Sequence, residues 1–222
     1  MRRMLGMLGL VLLASTASAQ TARQQRAAEL EEVAVALADP DPMMRLAALE
    51  DILASGDRRR IGMATTLAMR SEDRVLRGAG MLAYMAQQGL VEFDLTYPAP
   101  LEDQYQAARY DADKLGKFFQ GPGKVLGVFA QAIHGEGRRL TFAVEMDEDH
   151  MGGKALSLVG SSRYEGDLRI NGDVVEMFFP DISMGGRWHK GCSPRVSPIG
   201  EGVIAGEFRC GEAAYPIRLE VR

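Results

Sequence analysis

The chain has 222 residues, of which 26 are Lys or Arg and 30 are Asp or Glu, and 46% of its residues are hydrophobic. These fractions suit a globular protein of one large or two small domains and are too apolar for a disordered chain. The formal net charge of −4 argues against a protein that binds nucleic acid through an excess of Lys and Arg, so no nucleic-acid partner is expected.

Residues 1–19 have the features of a signal peptide. Arg2 and Arg3 give a basic start, residues 5–14 are apolar apart from glycines, and Ala17-Ser18-Ala19 supplies the small residues that a signal peptidase accepts. The apolar run is far shorter than the ~20 residues that span a bilayer. We therefore expect cleavage before Gln20 and a secreted protein, with the periplasm as its predicted compartment and no membrane insertion after cleavage.

Residues 20–89 are predicted to form a helical domain, because apolar residues recur there at helical spacing. The first stripe consists of Leu30, Val33, Ala34 and Leu37. Asp41 is a good N-cap and Pro42 a good first residue for the second helix, which is predicted to end at Gly56. Further stripes predict a third helix and a fourth, which ends at Gly89.

The helical domain contains an internal repeat. Asp41 and Arg45 align with Asp73 and Arg77 at an offset of 32 residues, and each Asp is predicted to cap a helix with the Arg one turn later. The string D-P-D-P-M-M-R-L-A-A-L resembles the second helix of a HEAT-type repeat. The resemblance covers about 65 residues and implies stacked helical hairpins that offer a binding surface rather than an active site.

Residues 90–122 are predicted to be a linker and a connecting helix. Pro98-Ala99-Pro100 is typical of a linker, and the helix is expected over 101–119, ended by Gly121 and Pro122. Its apolar face consists of Leu101, Tyr105, Ala108, Ala112, Leu115 and Phe119. The pattern leaves open which half of the protein this helix joins.

Residues 123–222 are predicted to form an antiparallel β domain, because the apolar period changes there from 3.6 to 2. Alternating sets include Leu140, Phe142, Val144 and Met146, then Val175, Met177 and Phe179, then Ile204, Gly206, Phe208 and Cys210. Asn171-Gly172-Asp173 is a strong hairpin signal. We expect about seven to nine strands in a small barrel or sandwich, and hence an α+β fold of HEAT-like helical hairpins followed by this β domain.

The two cysteines, Cys192 and Cys210, are predicted to form a disulfide, since an exported chain meets an oxidising compartment. The bond would close a loop of about 18 residues, worth roughly 3 kcal/mol, and would order the Gly- and Pro-rich segment 192–199. A metal site with His189, which forms H-x-x-C with Cys192, and a redox pair are the alternatives, although C-x-x-C, the usual redox spacing, is absent.

The pattern M-G-G-[KR] occurs at 151–154 and at 184–187, and Trp188-His189-Lys190 follows the second copy. Glycines allow backbone N–H groups to approach an anion, the cations add charge, and Trp is enriched at binding hot spots. The predicted binding residues are therefore Lys154, Arg187, Trp188, His189 and Lys190. The alternative is two solvated glycine turns and a buried Trp.

No catalytic residue, metal or cofactor is predicted. The three histidines lack a two-His metal spacing, and neither a G-x-S-x-G elbow nor a phosphate-binding or dinucleotide fingerprint is present. The sequence favours a non-catalytic protein that recognises an envelope protein or a small ligand, with its oligomeric state open. A periplasmic hydrolase whose residues converge only in the fold is one alternative. A carrier of a small apolar ligand, which would need a hollow β domain, is the other.

Overall fold

The structure is a computed structural model that describes residues 23–97, 99–121, 139–148, 152–159, 162–184, 187–200, 202–210 and 213–221. The side chains of residues 119, 159, 162, 182–184, 187–190 and 213 also lie outside the description, and so does the predicted signal peptide. The chain divides into two compact units, Met1–Ala64 and Thr65–Arg222, which meet within a helix. The domain bounds expected from the sequence, 20–89, 90–122 and 123–222, stay a prediction.

The described residues form six helices and eight strands. The helices are α1 (23–37), α2 (Pro42–Ala54), α3 (Arg58–Met69), α4 (Arg74–Gln88), α5 (Ala99–Ala108) and α6 (Ala112–Gln120). The strands are β1 (Leu90–Leu95), β2 (Arg139–Met146), β3 (Gly152–Val159), β4 (Ser162–Asn171), β5 (Val174–Met184), β6 (Arg187–Pro198), β7 (Val203–Cys210) and β8 (Ala213–Glu220). The expected order of helices followed by an antiparallel β domain is confirmed.

The N-terminal helices pack as pairs, and their caps are those that the sequence predicts. Asp41 accepts a hydrogen bond from the backbone N–H of Met43 at 2.9 Å, and Asp73 accepts one from Val75 at 2.9 Å. Each cap satisfies a backbone donor that the first turn of a helix leaves without an intrahelical partner. Both copies of the repeat therefore begin their second helix in the same way.

The repeated arginines also make equivalent contacts. Arg45 Nη1 donates to the backbone oxygen of Asp39 at 2.7 Å, and Arg77 Nη1 donates to that of Ser71 at 2.9 Å. In each copy the acceptor lies two residues before the capping Asp. The arginine thus fastens its helix to the preceding turn, so the repeat at an offset of 32 is structural as well as sequential.

Eight antiparallel strands of the described chain form a closed barrel in which each strand pairs with its neighbours in sequence and β1 pairs with β8. The first of these strands, Leu90–Leu95, lies where the sequence pattern had indicated a linker. Val91, Phe93 and Leu95 are buried while the residues between them are exposed, which is the alternation of a half-buried strand. The run is short and follows a helix directly, which hides its period of two in the sequence.

Strand β6 includes most of the segment that was expected to be a Gly- and Pro-rich loop. Residues up to Pro198 pair with β7 in continuous register, and the β5 partners Val175 and Phe179 face Val196 and Cys192. Proline has no N–H to donate to a ladder, which is why the presence of Pro194 argued against a strand. The strands on both sides hold the segment in place.

The connecting helix expected over 101–119 is two helices, α5 and α6. Asp111 interrupts it, because its side chain accepts hydrogen bonds from the backbone of Asp113 and Lys114, both at 3.1 Å, and so caps a new helix. Tyr105 and Phe118 pack with Tyr97, with ring centroids 5.2–5.9 Å apart. These rings belong to the same core as the barrel, so both helices join the β unit.

Aromatic side chains fill the barrel interior. Phe93, Phe142, Phe179 and Phe208 are fully buried. The ring centroid of Phe142 lies 5.7 Å from that of Phe179 and 6.1 Å from that of Phe93, distances at which aromatic pairs attract each other. Within the described residues, the interior is packed rather than hollow.

Helix α4 closes one end of the barrel. It contacts β1, β2, β4, β5 and β6, and Met81, Leu82 and Met85 belong to the barrel core. A Cβ at Gly78 would lie 2.1 Å from the backbone oxygen of Gly172, so glycine permits close contact with the β4–β5 turn. We call this the α4 end, where odd-numbered strands begin, and the opposite one the far end.

The predicted hairpin turn is confirmed and serves as the anchor for α4. Asn171 pairs with Val174 across it, and Gly172 has a φ of 62°, which glycine adopts without strain. Asp173 accepts from Arg74 Nε at 3.0 Å and binds Arg77. Because its carboxylate is 16% exposed, this contact is better shielded from water than a surface ion pair.

We expect Asp173→Asn to lower the free energy of unfolding at pH 7 by about 1.5–3 kcal/mol, the range for hydrogen bonds to charged groups. The Arg77 hydrogen bond is the main reason that the pKa of Asp173 lies below its usual value. The stabilisation is therefore complete above the unfolded carboxyl pKa of ~3.9 and is lost as the pH falls through the lower folded pKa.

Urea unfolding of the wild type and the variant between neutral and acid pH measures this difference. Asp167→Asn is the matched control, because Asp167 also binds a cation, Lys154, but on the exposed surface, where water screens such pairs. A gap between wild type and Asp173→Asn that stayed constant down to strongly acid pH would contradict the assignment.

Candidate functional site

The residues that sequence analysis assigned to binding lie at both ends of the barrel. Lys154 is near the start of β3, at the α4 end, and its Nζ lies 2.8 Å from Asp167 Oδ1 on β4. This hydrogen bond raises the pKa of Lys154 and lowers that of Asp167. Lys154 is therefore part of a surface ion pair, and its two glycines lie in β3 rather than in a turn.

Arg187, Trp188, His189 and Lys190 begin β6 at the far end, where their backbones pair with residues 181–184 of β5. Their side chains lie outside the described residues. Strands β4 and β5 separate β3 from β6, so the structure does not bring Lys154 together with these four residues. Binding by either group stays a prediction.

The predicted disulfide between Cys192 and Cys210 is confirmed. The two residues face each other across β6 and β7, with Cα atoms 4.1 Å apart. Neither sulfur is a free thiol, which removes the alternative of a metal site with His189. The bond indicates an oxidising, extracytoplasmic compartment.

The seam between β1 and β8 is the shortest in the described barrel. Its register consists of Asp94 with Arg218 and Leu95 with Ile217, followed by a hydrogen bond of 2.9 Å from the Thr96 N–H to the Pro216 oxygen. Pairing ends at Asp94, although β1 begins at Leu90 and β8 continues to Glu220. The two strands therefore separate toward the α4 end.

A groove of about 410 Å³ lies where the two strands separate. We call it the seam groove. Tyr84 and Gln88 of α4 line it together with the edges of β1 and β8, and Arg139 of β2 completes it. The groove is thus bounded by the barrel and by the helix that closes the barrel.

Carboxylates predominate among the charged residues that line the seam groove, namely Glu92, Asp94 and Glu220 beside Arg139. Arg139 lies 3.5 Å from a Glu92 oxygen and 3.3 Å from an Asp94 oxygen, while Arg218 lies 3.6 Å from Glu220. All five side chains are more than two-fifths exposed, so these pairs are weak and can exchange partners. Among the described side chains at the groove, three acids stand against two arginines, a balance that favours a cationic partner.

The backbone of β8 also faces the seam groove. The backbone oxygen of Pro216 accepts a hydrogen bond from β1. In an antiparallel strand, every second residue directs its N–H and C=O groups to the same side, so the even-numbered residues of β8 face β1. The odd-numbered Val221 donates to Gly202 on the β7 side. Glu220 therefore directs its backbone toward β1, and the described β1–β8 register does not reach it.

A smaller cleft of about 230 Å³ lies elsewhere at the α4 end. It is lined by Thr66, Met69 and Arg70 at the end of α3 and by residues around the β6–β7 turn, including Gly200 and Gly202. It offers mainly apolar contact with one arginine. The seam groove is larger and combines backbone edges with charge, so we take it as the candidate site.

The structure does not test the hydrolase alternative. His134, His150 and Ser161 lie outside the described residues, and only the backbone of His189 and Ser162 is described. Among the described side chains, no group of three or more His, Cys, Asp or Glu is placed to hold a metal ion. None of the described helices combines the length and apolar character needed to cross a membrane.

Comparison with known proteins found no family model, no curated protein and no solved structure that matches this chain.

The residues of the seam groove, Glu92, Asp94, Arg139 and Glu220, were not among those predicted from the sequence. One signal could have found the first two, since L-V-E-F-D-L at 90–95 alternates apolar and acidic residues as a strand with one solvated face does. The pairing of β1 with the end of the chain left no local signal.

Proposed function

We propose that this chain is an exported, non-catalytic protein that recognises an envelope protein by binding a polypeptide segment in the seam groove. The short β1–β8 seam is the observation that carries the proposal, because it leaves strand edges and carboxylates next to each other at the surface. Polypeptide partners commonly add to such edges. The disulfide supports export, and the periplasm is the compartment that we propose.

The helical pairs are proposed to be HEAT-like. The support is the repetition, at an offset of 32, of the same Asp cap and the same arginine-to-backbone bond. HEAT-like pairs offer surfaces for protein partners. In this chain the last of these helices, α4, also lines the seam groove, which links the two parts of the proposed function.

The packed barrel interior argues against carriage of an apolar ligand. A carrier would need space where Phe142, Leu168, Phe179 and Phe208 are buried, so we do not propose that function. The far-end residues 187–190 remain a second candidate for contact with a partner, and the experiment below includes them.

A photo-crosslinking amino acid at Gln88, an exposed residue of the groove, is expected to form a specific adduct with a polypeptide from a native envelope extract. The same group at Tyr110, which is 86% exposed and lies away from the groove between α5 and α6, is the control. Excess unlabelled protein should suppress the Gln88 adduct, since both compete for one partner. The readout is the band shift and its identification by mass spectrometry.

A Gln88 adduct no stronger than that at Tyr110 would contradict binding in the groove. Crosslinker placed at Trp188 tests the far end in parallel. If only the Trp188 position gives an adduct that excess unlabelled protein suppresses, the binding surface would be the far-end residues 187–190, which the sequence first indicated.

A further inference from the structure

We infer that the partner enters the seam groove as an added β-strand, in the form of an extended segment in which apolar residues alternate with Lys or Arg. The inference rests on the proposed function and specifies the partner's chemistry. It follows from two features of the groove, the direction of the backbone at the end of β8 and the alternation of side chains along both strands.

The backbone at the end of β8 favours an extended partner. Glu220 directs its N–H and C=O groups toward the side on which β1 has diverged, while Val221 already bonds to β7. A backbone edge of this kind is a template for pairing with another chain. In a helix the backbone N–H and C=O groups are hydrogen-bonded to each other. Only an extended segment can therefore form hydrogen bonds with this strand edge.

The side chains of the groove specify an alternating sequence. Along β1, Val91 and Phe93 are buried and Glu92 is exposed between them. Along β8, the partly buried Leu219 packs against the core while Glu220 is exposed. A strand added to this edge would place every second side chain toward the apolar set and the others beside the carboxylates.

Charge then selects Lys or Arg for the outward positions. Opposite charges on facing strands stabilise their pairing, and like charges destabilise it. Arg139 and Arg218 contact the groove carboxylates at 3.3–3.6 Å on an exposed surface, so an incoming cation can share these carboxylates with them. An acidic segment would meet three carboxylates instead.

Three synthetic peptides test both features. The first is Val-Lys-Val-Lys-Val with blocked ends, the second has Glu in place of Lys, and the third is the Lys peptide N-methylated on alternate residues along one edge. We expect the Lys peptide to bind at least about tenfold more tightly than either other peptide, because the second reverses the charge and the third removes edge hydrogen bonds. Fluorescence anisotropy of labelled peptides measures the affinities.

Variants of Glu220 separate its backbone from its charge. Glu220→Gln removes the carboxylate and should weaken Lys-peptide binding several-fold, with a smaller dependence on salt. Glu220→Pro also removes the N–H that faces the seam, and we expect at least a further tenfold loss. The β7–β8 ladder uses Val221 and should survive. Glu176→Gln, on the outer face of β5 beside Arg195, is the control that should change nothing.

The outcomes distinguish this inference from the proposed function. Equal binding of the Lys peptide with and without N-methylation, tighter binding of the Glu peptide, or full binding by Glu220→Pro would overturn strand addition or its charge preference. A competed Gln88 adduct would then still support recognition in the groove. If no peptide binds while Gln88 crosslinks a partner, only this inference fails; if neither occurs, both fail. Self-association through the groove would assign it to a second copy and also overturn the inference.

Discussion

Phe179→Ala is expected to lower the free energy of unfolding by about 3–5 kcal/mol, the usual cost of removing a buried phenylalanine. Phe179 is 0% exposed, and its ring stacks on Phe142 at a centroid distance of 5.7 Å. Truncation would leave a cavity inside a closed barrel, whose strands cannot move inward independently because each is paired on both sides. Urea unfolding followed by circular dichroism measures the loss.

The adjacent residue provides the control. Phe178 has the same side chain on the same strand but is 43% exposed, and its strand partner is Asp167 on β4. We expect Phe178→Ala to change stability by no more than about 0.5–1 kcal/mol, as surface substitutions do. Because a slip of one residue would exchange the two faces of β5, equal costs for the two variants would show that the register is incorrect.

The barrel was predictable wherever one face of a strand is buried and the other solvated. Met177 and Phe179 in β5, and Phe142 in β2, follow this alternation and are buried, and Gly172 supplies the turn between β4 and β5. The same logic predicted the caps at Asp41 and Asp73. In each case the determining interaction is local, so a window of a few residues contains the necessary information.

The elements that were not predicted are those in which a nearby proline, capping residue or helix obscures the spacing of the apolar residues. Pro194 argued against β6, although neighbouring strands hold the segment extended. Asp111 caps α6 within what appears on a helical wheel as one continuous apolar face. In β1, the adjacent helix and the prolines at 98 and 100 made six residues resemble a linker.

The candidate site could not be predicted from the sequence because it depends on how a barrel closes. Glu92 and Glu220 come from opposite ends of the β unit, and their proximity follows from pairing between β1 and β8. The incomplete length of that pairing has no local signature. The same topology, in which the chain reverses at each turn, places the backbones of Lys154 and Arg187 at opposite ends of the barrel.

Removing the disulfide by the double change Cys192→Ala and Cys210→Ala is expected to lower the free energy of unfolding by about 3 kcal/mol. The bond closes a loop of 18 residues and so reduces the entropy of the unfolded chain, and the chain-entropy relation gives this magnitude for such a loop. Cys192 and Cys210 face each other in a ladder that continues to Pro198, so the barrel should still form. Urea unfolding of the variant and of wild type, with and without reductant, measures the effect.

Reductant should lower the free energy of unfolding of the wild type to that of the variant and should leave the variant unchanged. This comparison distinguishes the effect of the disulfide bond from the effect of removing two sulfur atoms. A wild type whose unfolding midpoint is insensitive to reductant after full unfolding and refolding would contradict the expectation. The seam groove is built from α4, β1, β2 and β8 and not from the bridged strands. The folded variant is therefore expected to keep the proposed Gln88 crosslink.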